Sequence, residues 1–446
     1  MQVTASKKVV NAWAMFDWSN SVYNLVITAT FFPIYFESVT KGPDGSDTVT
    51  FLGFNFINSS LYDYAMSFAY FIIALSYPIL TSIADTRGNK KNFMRFFCYM
   101  GSIGCSSLFF FKGTENLWLG ITGLIFGAMG YVGSLVFYNA YLPEIAAPQD
   151  RDRISAKGFS FGYIGSVILQ LIGFGLVLGM PESPGLATRI TFLMVGLWWF
   201  GFAQITFAGL PKVENKVQHK GNVFTDGFTE IKKVWHQTRQ MPVLKRFLRA
   251  FFFYSMGVQA IMLAATMFGA KTLGLPQTNL IATIVIIQLL AVVGAISMSR
   301  LSAIFGNIKV LMGVVFFWIV CCWAAYYAAV YKERGGNPEM MFYGIAVGVG
   351  LVMGGVQALS RSTYSKLMPE TKDTASYFSY YDFNEKMAIV IGIFSFGFIH
   401  EATGSMKNSI LILMVYFAFG LIWLYSALKA QKPVTKNEHH INQLQS

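Results

Sequence analysis

Apolar residues gather into twelve long runs, near positions 9–36, 61–83, 92–111, 117–142, 159–178, 190–210, 247–270, 280–298, 310–331, 340–359, 378–399 and 409–428. A helix crossing the hydrocarbon core of a bilayer needs about 20 such residues. The pattern therefore predicts an all-α integral membrane protein with twelve transmembrane helices. The longest polar break separates the sixth run from the seventh. It implies an amino-terminal six-helix bundle (1–210), a basic linker (211–246), a carboxy-terminal six-helix bundle (247–430) and a polar tail (431–446). The first run follows only Lys7 and Lys8, exceeds the core of a signal peptide and carries Asp17, so it reads as a retained span.

Composition sharpens this picture. The chain is 54% hydrophobic and 13% charged, about half the charge of a soluble protein, which excludes a soluble enzyme. Cys98, Cys105, Cys321 and Cys322 all lie inside apolar runs without the spacing of a zinc site or a disulfide framework, and read as small packing residues. A net charge of +12 would suggest nucleic acid in a soluble chain, but here its distribution matters more. With the amino terminus inside, only Lys41, Lys112, Arg189, Lys271, Lys332, Arg334 and Lys407 fall outside, leaving 27 of the 34 basic residues within. Inner loops keep the excess of Lys and Arg, so both termini are expected in the cytoplasm, with the body in the plasma (inner) membrane.

In the linker, Phe224, Phe228, Ile231 and Trp235 recur at helical spacing opposite Lys232, Lys233 and Arg239. That pattern fits either an amphipathic helix on a membrane face rich in anionic lipid or a solvated basic connection. His439 and His440 sit in the polar tail and read as solvated; Asn58-Ser59-Ser60 matches the common acceptor triplet for glycosylation, on the expected outer side.

The two sets of six resemble one another in order. Ala14, Phe16, Ser19, Val22, Ala29, Thr30 and Phe32 meet Ala250, Phe252, Ser255, Val258, Ala265, Thr266 and Phe268 at one fixed offset. Gly88-Asn89-Lys90-Lys91 after the second run parallels Gly306-Asn307-Ile308-Lys309 after the eighth. Paired halves of this kind generate alternating access around a solute site near the bilayer midplane.

The loop Thr81-Ser82-Ile83-Ala84-Asp85-Thr86-Arg87-Gly88-Asn89-Lys90 resembles the loop signature of the major facilitator superfamily, matching it at Asp85, Gly88 and Lys90 and departing at Thr81, Thr86 and Asn89. Gly88 permits a tight turn. Asp85 can cap the amino end of a neighbouring helix, expected to be the eleventh, where the helix dipole favours negative charge; such a contact would close one side of the molecule in one state. Asn11-Ala12-Trp13-Ala14-Met15-Phe16-Asp17-Trp18-Ser19-Asn20-Ser21 and Gly354-Gly355-Val356-Gln357-Ala358-Leu359-Ser360-Arg361-Ser362-Thr363-Tyr364 resemble the vacuole effluxer branch of that superfamily, as does the stretch from Tyr377 to Lys386. Met256 departs from an aspartate common among relatives. The resemblance implies the major facilitator fold, a path lined by helices 1, 4, 7 and 10, and amino-acid export of the kind found in fungal members.

Residue periodicity leads to a compatible site. Asp17, Asn20, Ser21, Asn24 and Thr28 recur every three or four residues and form one polar stripe. An aspartate there costs roughly 2.5–3.5 kcal/mol unless it faces a partner or water, so the stripe is expected to line the path, with Asp17 coupling transport to a proton or another cation. Tyr131, Ser134 and Tyr138, then Gln259, Gln288 and Gln357, extend that wall. The matching positions of the seventh run, Phe253, Met256, Gly257, Ala260 and Ala264, predict an apolar wall opposite, suiting a zwitterion with a hydrophobic portion. Arg361 reads three ways: binding a carboxylate bidentately, pairing with the gate residue Glu144, or anchoring at the interface with its head in water.

Gly344/Gly348, Gly350/Gly354, Gly123/Gly127 and Gly175/Gly179 read as small faces for close helix approach, not as a phosphate loop, because no strand precedes them and no Walker lysine follows. With no ATP motif, nucleophile–base pair or metal-ligand set in any span, the expectation is a secondary carrier. It would be no enzyme, need no cofactor, and have a small solute and the lipid bilayer as its partners; no nucleic acid or obligate protein partner is expected. Two alternatives remain open: a sugar–cation symporter using Trp13, Trp18, Tyr131 and Tyr138 to stack on sugar, and a non-transporting scaffold or receptor.

Overall fold

The computed structural model describes residues 3–42, 45–87, 89–211, 223–275, 277–403 and 405–431. Six long helices precede the linker: α1 (Lys7–Thr40), α2 (Asn58–Arg87), α3 (Lys90–Ser107), α4 (Leu117–Ile145), α5 (Arg151–Gly179) and α6 (Pro184–Gly209). Six follow it: α7 (Pro242–Met267), α8 (Gln277–Phe305), α9 (Asn307–Glu333), α10 (Glu339–Leu367), α11 (Thr374–Thr403) and α12 (Met406–Ala430). Among the described residues nine are long and apolar enough to cross a membrane, and ten if α2, bent by 44°, counts as one span. The polar group Asp382, Glu385 and Lys386 lowers the apolar character of α11.

The packing repeats between the halves. α1 rests on α5 and α6 as α7 rests on α11 and α12, while α3 lies against α4 and α6 as α9 lies against α10 and α12. The halves then join by exchange: α2 and α4 pack on α11, and α8 and α10 pack on α5. The result is two pseudo-symmetric six-helix bundles, the arrangement that the loop resemblance implies.

Glycine sets the closest approaches. A Cβ on Gly104 would stand 2.7 Å from the backbone nitrogen of Gly127, and one on Gly350 2.8 Å from Leu290 Cβ, so α3 crosses α4 and α8 crosses α10 nearly backbone to backbone. Gly175, Gly179 and Gly344 instead face open space, and the close-packing role expected of them does not hold.

Two local features depart from simple helices. Over Tyr23–Phe31, α1 widens into a π-helix, just ahead of Pro33, which lacks an N–H and whose ring crowds the preceding turn. Between α1 and α2, Thr48–Phe51 and Phe54–Ile57 form an antiparallel hairpin that the apolar pattern did not reveal. It marks one end of the bundle as the hairpin end; the opposite, basic end carries the start of α1 and the linker.

Within the linker, Val223–Gln240 is helical. It packs on α2 and α11, where Tyr377 Oη donates to Gln237 Oε1 at 2.6 Å and Lys233 pairs with Asp373 at 3.2 Å. Trp235 lies under the Arg239 guanidinium, 4.0 Å away. Gly88, residues 212–222 and the tail from 432, with His439 and His440, lie outside the described residues, as do the side chains of Phe224, Phe228 and Ile231.

Candidate functional site

A cavity of about 140 Å³ opens between the halves, room for roughly ten waters at 10–15 Å³ each. α1 contributes Asp17, Ser21 and Asn24, α4 contributes Tyr131 and Asn139, α7 contributes Gln259 and Met262, and α10 contributes Gln357 and Arg361. Four of the expected path helices thus meet here, joined by α2, α5 and α11.

At the floor stands an ion pair that crosses the interface. Arg361 of α10 lies 3.3 Å from Asp17 of α1, with both side chains buried. The rest of the guanidinium is also satisfied: Nε donates to Ser155 Oγ at 3.0 Å, Nη2 to the Ser155 carbonyl at 2.9 Å, and Nη1 to Asn139 Oδ1 at 3.4 Å. Its face covers the Phe159 ring at 4.1 Å. Tyr138 Oη donates to Asp17 Oδ2 at 2.7 Å, and its ring stacks on Trp13. The group fits only because residue 158 is glycine, since a Cβ there would stand 2.5 Å from Asp17 Oδ2 and 2.9 Å from Arg361 Nη2.

Arg361 therefore pairs with Asp17, not with Glu144, and is buried instead of sitting at a wet interface. The reason is topological: α10 and α1 belong to opposite halves and meet only where the two bundles pack together. Asn20 and Ser134 were also placed on the path, and neither lines the cavity. Asn20 is fully buried with both amide atoms unpartnered, and the Ser134 hydroxyl donates to the Tyr131 carbonyl in its own helix. At 100° per residue Asn20 lies about 60° off the Asp17 axis, enough to turn it into the bundle. Thr28 is turned away by the π-helical stretch and donates to the Asn24 carbonyl. Tyr138 stands behind Asp17 as its hydrogen-bond donor. Gln288 donates to Gln170 Oε1 and joins α8 to α5.

The expected apolar wall of α7 is also rotated. Gly257 faces Phe417, Phe253 stacks on Phe419, Met256 backs onto Gly392, and Ala260 is buried, while the side chain of Ala264 lies outside the described residues. Gln259 and Met262 face the cavity in their place. Trp13 is wholly buried beneath Tyr138 and Trp18 stacks on Trp198, so of the four aromatics considered for sugar stacking only Tyr131 lines the cavity.

Sequence reasoning missed a second group. Asp382, Glu385 and Lys386 of α11 and Tyr163 of α5 all line the cavity. Glu385 and Lys386 pair at 2.8 Å, and Asn139 Nδ2 donates to Asp382 Oδ1 at 3.4 Å across the interface. The available signal was three ionisable residues within five positions of an apolar run, at spacing that shares one helical face.

The basic end is closed by two polar clusters. Asp85, at the end of α2, accepts hydrogen bonds from the backbone N–H of Ala375 at 3.2 Å and of Ser376 at 2.8 Å, and from the Ser376 hydroxyl at 2.9 Å, at the first turn of α11. Lys90 lies 3.3 Å from Asp85, pairs with Glu144 and donates to Thr374 Oγ1 at 2.5 Å. In the pseudo-symmetric position Asp152, at the first turn of α5, takes Lys366 Nζ at 2.6 Å, Ser302 Oγ at 2.7 Å and Asn307 Nδ2 at 2.7 Å.

Comparison with known proteins bears on the family and the fold. The family model described as "Vacuole effluxer Atg22 like" matches residues 5–436. The MFS-type transporter YxiO of Bacillus subtilis is 28% identical, covering 94% of each chain, and autophagy-related protein 22 of Eremothecium gossypii is 24% identical over 96% of this chain and 92% of its own. Among solved structures, the major facilitator transporter FucP in its outward conformation superposes with a TM-score of 0.69 at 15% identity, over 94% of this chain and 98% of that one. The human organic anion transporter MFSD10 gives 0.70 at 11% identity, over 94% and 99%.

Proposed function

The chain belongs to the Atg22-like vacuole effluxer family of major facilitator transporters, and on that footing we propose that it is a secondary carrier exporting a small zwitterionic solute, an amino acid, by alternating access. Residues 1–210 and 247–430 move as two bodies joined by the 211–246 linker. The basic end, with both termini, faces the cytoplasm, and the body sits in the plasma membrane.

The observation that carries this reading is the ion pair between Asp17 and Arg361, held by opposite halves on the floor of the shared cavity. A zwitterion offers a carboxylate to Arg361 and an ammonium to Asp17. It substitutes for the internal pair without leaving a bare charge, and breaking a buried pair by removing one partner costs roughly 3–5 kcal/mol. Solute bound in this way lets α10 part from α1. Ser21, Asn24, Gln259 and Gln357 hydrogen-bond its remaining polar groups, and Met262 meets its apolar portion. Asp85, Lys90 and Glu144 gate the cytoplasmic side.

Counterflow in proteoliposomes tests the proposal. Vesicles preloaded with unlabelled leucine should take up labelled leucine, and vesicles preloaded with a disaccharide should not take up the labelled disaccharide. Sugar exchange without leucine exchange would sink the amino-acid reading and favour a sugar carrier, and exchange of neither by folded protein would sink both.

A further inference from the structure

Charge counting inside the cavity singles out one carboxylate. Its wall holds three acids, Asp17, Asp382 and Glu385, and two bases, Arg361 and Lys386. Two pairs account for four of the five: Asp17 with Arg361 at 3.3 Å and Glu385 with Lys386 at 2.8 Å. Asp382 is left over. It is 3% exposed, its Oδ1 has one long hydrogen bond from Asn139, and its Oδ2 has no partner. Fully ionised, the cavity would hold one uncompensated negative charge on a carboxylate as buried as Asp17 but without a paired cation, an arrangement that protein interiors avoid.

We propose that Asp382 is the site that binds and releases the proton coupled to transport. This rests on the carrier reading above and assigns the coupling group to α11 in place of Asp17, whose charge is already matched by Arg361 and Tyr138. A sodium ion fits less well, because such an ion prefers several oxygen ligands and the cationic Lys386 lies one turn along the same helix. A proton needs only the free oxygen.

The neighbours of Asp382 support the assignment. On its own helix stand Glu385, Lys386 and Tyr381; α10 brings Arg361 and Tyr364 within electrostatic reach, and α2 brings Tyr77. α4 presents the neutral Asn139. α2 adds the phenol of Tyr70 to the cavity wall, α7 places that of Tyr254 near Glu385, and α1 adds Asp17, already paired. Both cations are engaged elsewhere. Asp382 also touches the opposite half through Asn139, so its charge state acts on the interface. Protonated, it stays buried at low cost while the basic end is shut. When that end opens and water enters, the cost of the charge falls and the proton leaves.

Infrared difference titration of the purified protein in lipid tests this without knowledge of the solute. Wild type should show a protonated carboxyl stretch that vanishes on alkalinisation; Asp382→Asn should lose it and Asp17→Asn keep it. Asp382→Glu, which retains a titrating carboxyl, should shift the band and reports even if the Asn variant fails to fold. A wild type without the band, or a band kept in Asp382→Asn and lost in Asp17→Asn, overturns the proposal. In liposomes, labelled-leucine accumulation should respond to a pH gradient in wild type and lose that response in Asp382→Asn; a response retained in the variant also overturns it. Wild type inert to leucine but carrying the Asp382 band would sink the solute assignment alone.

Discussion

The latch between α2 and α11 makes a quantitative prediction. Asp85→Asn keeps the size of the side chain and one acceptor oxygen, which can still serve one backbone N–H of α11. It removes the charge and turns an amide toward the Ser376 N–H, replacing the 2.8 Å contact by two opposed donors. A hydrogen bond to a charged group contributes about 1.5–3 kcal/mol, whereas a neutral cap contributes about 0.5–2 kcal/mol. The carboxylate at the helix start adds about 0.3–1 kcal/mol through the dipole. Lys90 keeps Glu144 and Thr374, so no bare charge is created there. The closed state should lose about 2 kcal/mol relative to a state in which these groups are hydrated, which shifts the equilibrium about 30-fold. The assay is the rate at which a membrane-impermeant thiol reagent, added from the basic side, modifies Ser21→Cys in the cavity. The four native cysteines are buried, so background reaction is slow. While the open state is rare, the rate follows its population and should rise by the same factor of about 30. A rate within about threefold of the parent, in a variant that melts like the parent, would refute the latch, since that corresponds to less than 1 kcal/mol.

Three further outcomes follow from the same geometry. Asp17→Asn and Arg361→Met should each lower the melting temperature more than the double variant does, because either single change strands a buried charge at a cost of about 3–5 kcal/mol; additive losses in thermal unfolding would show that the pair is not coupled. Gly158→Ala drives a methyl into Asp17, Tyr138 and Arg361, and should cost about 1–3 kcal/mol of overpacking and suppress leucine counterflow while the protein still inserts; unimpaired exchange would mean that the pair tolerates displacement. Cysteine at Ser21 and Asn24 should react with a water-soluble reagent from the side on which the cavity opens, and cysteine at Asn20 should not; equal reaction of Asn20→Cys would restore the straight polar stripe.

How much of this was legible depended on whether a feature is local. Asp17 stands out in the first run because one carboxylate among apolar neighbours needs a partner, and the composition of the run alone exposes it. Asp85 was readable for a similar reason: the spacing of Asp85, Gly88 and Lys90 lies within one short loop, and the α11 amides it meets follow from the packing of the halves. The partner of Arg361 was not readable. Asp17 is 344 positions away, and neither helix carries a mark of which face meets the other half, so Glu144 was the acid expected to pair with it. Asn20 failed for a different physical reason. A polar stripe read at 3.6 residues per turn tolerates a spread of about 60°, whereas a buried cavity accepts a narrower arc, and the π-helical turns after Val22 change the phase again. The α11 group fell between these cases. Asp382, Glu385 and Lys386 lie near the start of the eleventh run, where charge reads as an interfacial border, but the helix begins at Thr374, about two turns earlier than Asp382. Those two turns carry Asp382 away from the border and down to the cavity wall, and a carboxylate buried there has either to find a cation or to take up a proton.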